Sequence, residues 1–158
     1  MSNMRITEVI VQWLEEREWE ERPEVDEDEL TSTTSFSHKV GDFSVKCFLE
    51  AKEKAGFFKM FMYFFDSKVP EQRLGEVLAF VNAVNCMINV GALHLIEEDR
   101  VIRYYASVDV EDAAFEPQHI SNMLGAGLGT MRYHLPQYMA ICFGGKTAEE
   151  ALQIEPEE

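Results

Sequence analysis

The stretch from residue 81 to residue 108 constrains the fold of this chain more than any other segment. Its sequence is VNAVNCMINVGALHLIEEDRVIRYYASV, in which a helical pattern rich in asparagine gives way at Gly91 to two apolar segments around Glu98 and Asp99. A change from helical spacing to alternation, followed by a tight turn, is typical of a helix that leads into a β-hairpin. The stretch therefore predicts a helix and two antiparallel strands, Ala92–Glu97 and Val101–Val110.

The predicted helix before this hairpin carries an amide on its apolar side. Helical spacing places on one face Leu74, Val77, Leu78, Val81, Asn85 and Ile88. A buried amide without a hydrogen bond costs about 1–3 kcal/mol. We therefore expect Asn85 to be buried and to hold main-chain groups of a neighbouring strand or turn, with a ligand contact as the alternative. Asn82 at the edge of this face and Gly91, which suits a left-handed helix end, complete the predicted structural motif.

Three more strands are predicted before this helix. The segments Leu30–Val40, Phe43–Lys52 and Phe57–Phe65 alternate in polarity or are rich in β-forming residues, and glycine-containing turns separate them at Gly41 and Gly56. Strands joined by such short turns form an antiparallel meander.

The third of these strands is apolar on both faces. One row contains Phe58, Met60, Met62 and Phe64, and the other contains Phe57, Lys59, Phe61, Tyr63 and Phe65. Strands of this kind are normally covered on both faces, whereas the apolar stripes of the first and third helices suit one face only. The second row is therefore either covered by the chain's own elements or in contact with a second subunit or partner protein. Phe57, Phe61 and Tyr63 are the candidate interface residues.

The remaining periodic segments complete the fold class. The spacing predicts a first helix over Arg5–Glu18, a third helix from Glu116 to Gly144, and a last short turn capped by Thr147. The order α-β-β-β-α-β-β-α predicts an α+β domain with an antiparallel sheet of about five strands. We expect one domain over residues 1–153 and an acidic tail over residues 154–158.

The net charge of the chain argues against some classes of binding partner. Lys and Arg number 14 against 29 Asp and Glu, a net charge of −15, which argues against nucleic acid and anionic membranes because both attract cations. The segment Glu15–Glu29 alone carries a net charge of −8; it is either a solvated connector or an electrostatic lure for a basic partner segment. The uncharged stretch Val77–Ile96 contains three asparagines, so we expect no transmembrane segment.

The sequence contains no recognisable catalytic, cofactor-binding or metal-binding pattern. Cys47, Cys86 and Cys142 are odd in number and far apart, which predicts three buried, reduced thiols in the cytoplasm. The four histidines lack the spacing of a metal site, and no signal peptide is expected at the N-terminus. The series Gly125, Gly127 and Gly129 falls inside a helical pattern, which favours close helix packing or a soft point in the helix over a phosphate loop. We therefore predict no enzyme, no cofactor and no metal.

The chain resembles the YbjN family of bacterial sensory-transduction-regulator-like domains from about Ile6 to Leu152. The matching positions are Asn82, Asn85, Gly91, the acidic turn at Glu98 and Asp99, and Arg103 with Tyr104 in the next strand. The resemblance implies a fold related to the type III secretion chaperones, which have this order of elements and act as small acidic dimers that bind segments of other proteins. It supplies no catalytic residues.

Two functions follow as hypotheses. The first is a cytoplasmic, homodimeric interaction or chaperone-like regulatory domain, which binds a protein partner through a sheet or dimer surface. The alternative is a small-molecule sensor with a pocket between the sheet and the third helix. An apolar groove open on the sheet would favour the first, and a closed cavity lined by Asn85, His94 or Arg132 would favour the second.

Overall fold

A computed structural model describes residues 3–64 and 68–155 of the chain. Its helices and strands are, in chain order, α1 (Arg5–Glu16), β1 (Glu24–Asp26), β2 (Thr31–Val40), β3 (Phe43–Lys52), β4 (Phe57–Tyr63), α2 (Leu74–Asn85), β5 (Ala92–Ile96), β6 (Val101–Asp109), α3 (Pro117–Gly144) and α4 (Ala148–Leu152). The predicted strand end at Phe65 and residues 156–158 of the predicted tail lie outside the described residues.

The strands form one antiparallel sheet in the order β1-β2-β3-β4-β6-β5. The predicted α+β class is confirmed, but the sheet has six strands rather than about five. The additional strand, β1, lies inside the acidic segment and pairs with β2 from Glu24 opposite Thr33 to Asp26 opposite Thr31. All three of its residues are exposed, so main-chain pairing forms this strand without any apolar alternation that a sequence pattern would reveal.

The core lies between the helices and one face of the sheet. Trp13 of α1 and Tyr138 of α3 are fully buried there, together with Phe58, Met60 and Tyr104 of the sheet. In α3, a Cβ on Gly127 would lie 2.6 Å from Met62 Cε and 2.8 Å from Tyr104 Cε1. The predicted close packing at Gly127 is therefore confirmed, and all three glycines of the series lie inside a helix.

In helix α2, the periodic pattern of apolar residues does not predict correctly which face is buried. Its buried residues are Val77, Phe80, Val81 and Val84, whereas Leu78 is 50% exposed. The predicted face, which included Leu78, is therefore partly wrong. The helix is apolar on almost every side, so its spacing does not choose a face, and packing against β5, α3 and α4 does.

The other helices agree closely with the sequence. Helix α3 follows Glu116, which forms a capping box with His119, and it ends at Gly144 before the left-handed Gly145. Helix α4 begins after Thr147, whose hydroxyl accepts a hydrogen bond from the Glu150 amide. Within residues 3–64 and 68–155, no helix is both long and apolar enough to cross a membrane.

An open sheet face as the candidate functional site

The two faces of the sheet differ sharply in exposure. Along β4, Phe58, Met60 and Met62 are completely buried, while the alternate residues are only half-buried. Strands β2, β3 and β6 alternate in the same way, and in none of the described strands is a residue on the side of Phe61 buried. We call this side the open face. The helices cover one side of the sheet, as the apolar stripes of the first and third helices predicted.

Four aromatic rings form a cluster at the centre of the open face, which we call the aromatic band: Phe48, Phe61, Tyr63 and Tyr105. Cross-strand pairing places Phe48 opposite Phe61 and Phe61 opposite Tyr105. The ring centroids of Phe61 and Tyr105 are 5.2 Å apart, and those of Phe48 and Tyr63 are 5.7 Å apart. These separations lie in the favourable range for aromatic pairs, so the rings support one another as a single surface.

The predicted interface residues fall into two places. Phe61 and Tyr63 belong to the aromatic band, whereas Phe57 lies at the start of β4, opposite Lys52 and Asp109. Four residues along a strand correspond to about 13 Å, so Phe57 is separated from Phe61. Phe48 and Tyr105 were not predicted. Only the register between strands places these two rings beside Phe61. The sequence of each strand, taken alone, does not give that register.

Cations surround the aromatic band in this acidic protein. The Lys46 ammonium lies 5.4 Å from the Phe48 ring centroid, and the Arg103 guanidinium carbon lies 5.0 Å from that of Phe61. Such positions are favourable for cation–π attraction. Among the described residues, Lys46, Lys59 and Arg103 have no carboxylate within 4 Å. The centre of the open face thus combines apolar rings with cations that remain available to a partner.

His94 extends this surface towards β5. Its ring stacks on Tyr105 with centroids 5.3 Å apart, and Arg103 Nε donates a hydrogen bond to His94 Nδ1 at 3.4 Å. Burial, and then the charge of Arg103, lower the pKa of His94 below its ordinary value of 6.5. In this contact Nδ1 of His94 accepts from Arg103, and the bond helps to hold the imidazole against the Tyr105 ring.

The Asn-rich helix end holds the neighbouring edge strand. Asn85 Oδ1 accepts from the Leu93 amide at 2.7 Å, and Asn85 Nδ2 donates to the Leu93 carbonyl at 2.9 Å. These bonds agree with the interpretation of Asn85 as a main-chain clamp, although its side chain is half-buried rather than buried. Asn82 is exposed. Gly91 has a φ of +73° but follows the end of α2 by several residues, so it directly precedes β5 instead of capping the helix.

A cleft of about 690 Å³ lies beside the end of β6. It is lined by residues from the start of β5, the second half of β6, the segment before α3 and the first turns of α3, among them His94, Val108, Phe115, His119 and Met123. Its position between sheet and third helix matches the pocket of the alternative hypothesis. It is open to solvent, however, and neither Asn85 nor Arg132 lines it.

The cysteines differ from their prediction in one respect. Cys47 and Cys142 are buried, and burial raises the pKa of the Cys47 thiol to about 12 and that of Cys142 above its ordinary value. Cys86 is exposed, because α2 ends at Asn85 and the chain turns away there. All three thiols are free. In the described part of the chain, no group of three or more His, Cys, Asp or Glu side chains is placed to hold a metal ion.

Comparisons with known proteins agree with this architecture. A chain of the ExsC–ExsE complex is similar with a TM-score of 0.60 and 11% identity, over 82% of this chain and 90% of that chain. A chain of the HopA1–SchA chaperone–effector complex is similar with a TM-score of 0.52 and 16% identity, over 84% and 94% of the two chains. A search of curated proteins found no match. These likenesses confirm the predicted chaperone-like fold.

The family comparison covers most of the chain. The model of the YbjN family, described as "Putative bacterial sensory transduction regulator", matches residues 7–137. That range includes most of α1, the whole sheet, the Asn85 clamp and most of α3, so the match spans the elements that build the open face. This chain belongs to the YbjN family.

Proposed function

We propose that this chain is a non-enzymatic, chaperone-like interaction domain that binds another polypeptide through the open face of its sheet. The observation that carries the proposal is the aromatic band, which is half-exposed on the side opposite the helices. Contiguous apolar surface of this kind on a folded protein marks interaction sites. Aromatic and arginine side chains are also the residues that contribute most to binding energy in protein interfaces.

The charges around the band favour a protein partner with acidic residues near its apolar anchors. Lys46, Lys59 and Arg103 lie beside the rings without carboxylate partners among the described residues. Complementary charges at the rim of an interface increase association rate and specificity more than affinity. The similarity to chains of two protein–protein complexes supports the same class of function. The three free thiols fit the proposed cytoplasmic location.

A homodimer through the same surface is a specific form of this proposal. The residues of the aromatic band belong to the inner strands β3, β4 and β6. A twofold axis through the band would therefore pack the aromatic bands of two copies against each other. Face-to-face packing of two sheets buries such rows about 10 Å apart. A second copy and a different partner would compete for the band, so one substitution in the band tests both kinds of binding.

The test replaces a ring at the centre of the band with a carboxylate. Phe61→Asp should abolish self-association in light scattering, or capture of partners in a pull-down quantified by mass spectrometry, because it places a charge in a desolvated contact. Ser44→Asp is the matched control, since Ser44 is exposed on the same face at the start of β3. Circular dichroism should be unchanged in both variants.

Two results would contradict the proposal. If Phe61→Asp unfolds the protein, the band belongs to the core in solution. If the variant stays folded and equals Ser44→Asp in oligomeric state and captured proteins, the open face is not the contact surface.

A small-molecule sensor is the second candidate function, and the cleft beside β6 favours it. Its volume of about 690 Å³ suits a drug-sized ligand. A metabolite panel followed by thermal unfolding tests this function. A genuine ligand should raise the melting temperature of the wild-type protein and fail to do so after Met123→Trp, which fills the cleft.

A further inference from the structure

Strand β6 is longer than the edge strand that pairs with it. β5 pairs only with residues Val101–Tyr105 of β6, and its first residue, Ala92, lies opposite Tyr105. Gly91 then turns the chain away with its positive φ, and a Cβ there would lie 2.7 Å from the Tyr105 carbonyl oxygen. Within the described residues, the second half of β6, residues 106–109, therefore has β4 on one side and no strand on the other.

The unpaired side of β6 presents main-chain hydrogen-bonding groups. Both main-chain groups of Leu93 bond to Asn85 and so point away from β6. Because these directions alternate along an antiparallel pair, the groups of Tyr105 point towards β5, and those of Ser107 and Asp109 point to the same side beyond its end. The Ile102 carbonyl fits this alternation, since it accepts from Phe64 on the opposite side.

The cleft of about 690 Å³ lies along this unpaired edge. Of the residues that line it, Asp109 alone carries a formal charge when histidine is neutral, although 27% of the chain is charged. The Val108 side chain points to the helix side of the sheet, where Phe115 and Met123 also line the cleft. An occupant must therefore supply main-chain groups along one side, apolar side chains towards the helices and a cation near Asp109.

We infer that this edge binds an extended peptide segment as an added strand, antiparallel to β6. The direction continues that of β5, so the N-terminal end of the segment lies beside Asp109 and carries the cation. Alternate side chains are apolar and enter the cleft, as in known modes of strand addition. This site lies at the edge of the sheet, where Tyr105 and His94 at the rim of the open face also line the cleft, and it goes beyond the proposed function.

A second copy of the chain is a poor occupant of the same edge. An antiparallel pair of two β6 strands centred on Ser107 would place Asp109 of one copy opposite Tyr105 of the other. Ala92 already occupies the pairing position of Tyr105. In that register two copies would gain only one pair of hydrogen bonds, whereas a free peptide reaches both Ser107 and Asp109, and a cationic peptide also complements a chain of net charge −15 that a second copy would repel.

The probe is an acetylated and amidated pentapeptide with the sequence Val-Lys-Val-Thr-Val. Its valines face the cleft, and its lysine lies across from Asp109. Titration into ¹⁵N-labelled wild-type protein should shift the amide signals of Ser107 and Asp109 more than those of Phe48, Phe61 and Tyr63, which do not line the cleft. Methylation of the peptide nitrogens that face β6 should weaken binding about tenfold, because each methyl group removes a hydrogen bond.

Variants on the protein side test the same bonds. Ser107→Pro removes the amide that faces the cleft while β4 pairing remains, and should weaken the peptide about tenfold. Ser107→Thr keeps the amide and should bind as the wild type does. Asp109→Asn should weaken the lysine peptide about twofold to fivefold and leave a peptide with Thr in place of Lys unaffected.

Three results would overturn the inference. The first is no binding of the pentapeptide at millimolar concentration. The second is binding that is indifferent to both peptide methylation and Ser107→Pro; methylation decides the matter alone if that variant does not fold. The third is loss of a homodimer in Ser107→Pro, which would assign the edge to a second copy. Failure of Phe61→Asp to alter partner capture would leave the edge site standing, because Phe61 does not line the cleft and the edge bonds come from the main chain of Ser107 and Asp109.

Discussion

Replacing Asn85 by leucine tests how the edge strand is held. Asn85 makes two hydrogen bonds to Leu93, one from each atom of its amide. Leucine has a similar volume but leaves the Leu93 amide and carbonyl without these partners. Leu93 itself is 1% exposed, so its main-chain groups are shielded from water in the native protein.

The expected loss of stability follows from these two groups. An orphaned and desolvated main-chain group costs about 1–3 kcal/mol. Because Asn85 is half-buried, water offsets part of that cost, and we expect about 1–3 kcal/mol for both groups together. For a domain of this size, 1 kcal/mol corresponds to about 2–4 °C in the melting temperature, so Asn85→Leu should melt about 2–12 °C below the wild type.

The assay is thermal and denaturant unfolding, with Asn82→Leu as the matched control. Asn82 is exposed on the same helix, so its replacement should change the free energy of unfolding by less than about 0.5 kcal/mol. Hydrogen exchange should also show faster exchange in β5 of Asn85→Leu. Equal melting temperatures for the two variants would refute the clamp, because the hydrogen bonds to Leu93 would then contribute nothing.

The remaining predictions concern the glycines of α3 and the thiols. Gly125→Ala should raise the free energy of unfolding by up to about 1 kcal/mol, since no atom lies within 4 Å of the new methyl group and alanine favours helix. Gly127→Ala should lower it, because its methyl group meets Met62 and the Tyr104 ring; equal signs in chemical denaturation would contradict this packing. Cys86 should be the fast-reacting thiol of the native protein, since burial raises the pKa of Cys47 and Cys142. Titration with a thiol reagent should return three thiols after unfolding, and a lower total would indicate a disulfide.

The sequence by itself determined the features that depend on neighbouring residues. The boundaries of α3 follow from Glu116 and Pro117 at its start and from Gly145 just beyond its end, and the cap of α4 follows from Thr147. The strands β3 and β4 begin at the predicted residues. Local hydrogen bonds and backbone preferences act over three or four residues, so the local sequence is sufficient to predict these caps and boundaries.

The tertiary structure alone decided the features that depend on register and packing. Phe48, Phe61 and Tyr105 come from three strands, and only their pairing makes them neighbours. The exposed edge of β6 arises because β5 starts at Ala92, opposite Tyr105. An isolated strand shows which of its side chains share a face but not which residue of another strand lies opposite. Closing the chain into one register over a shared core fixes those pairs, and with them both proposed surfaces.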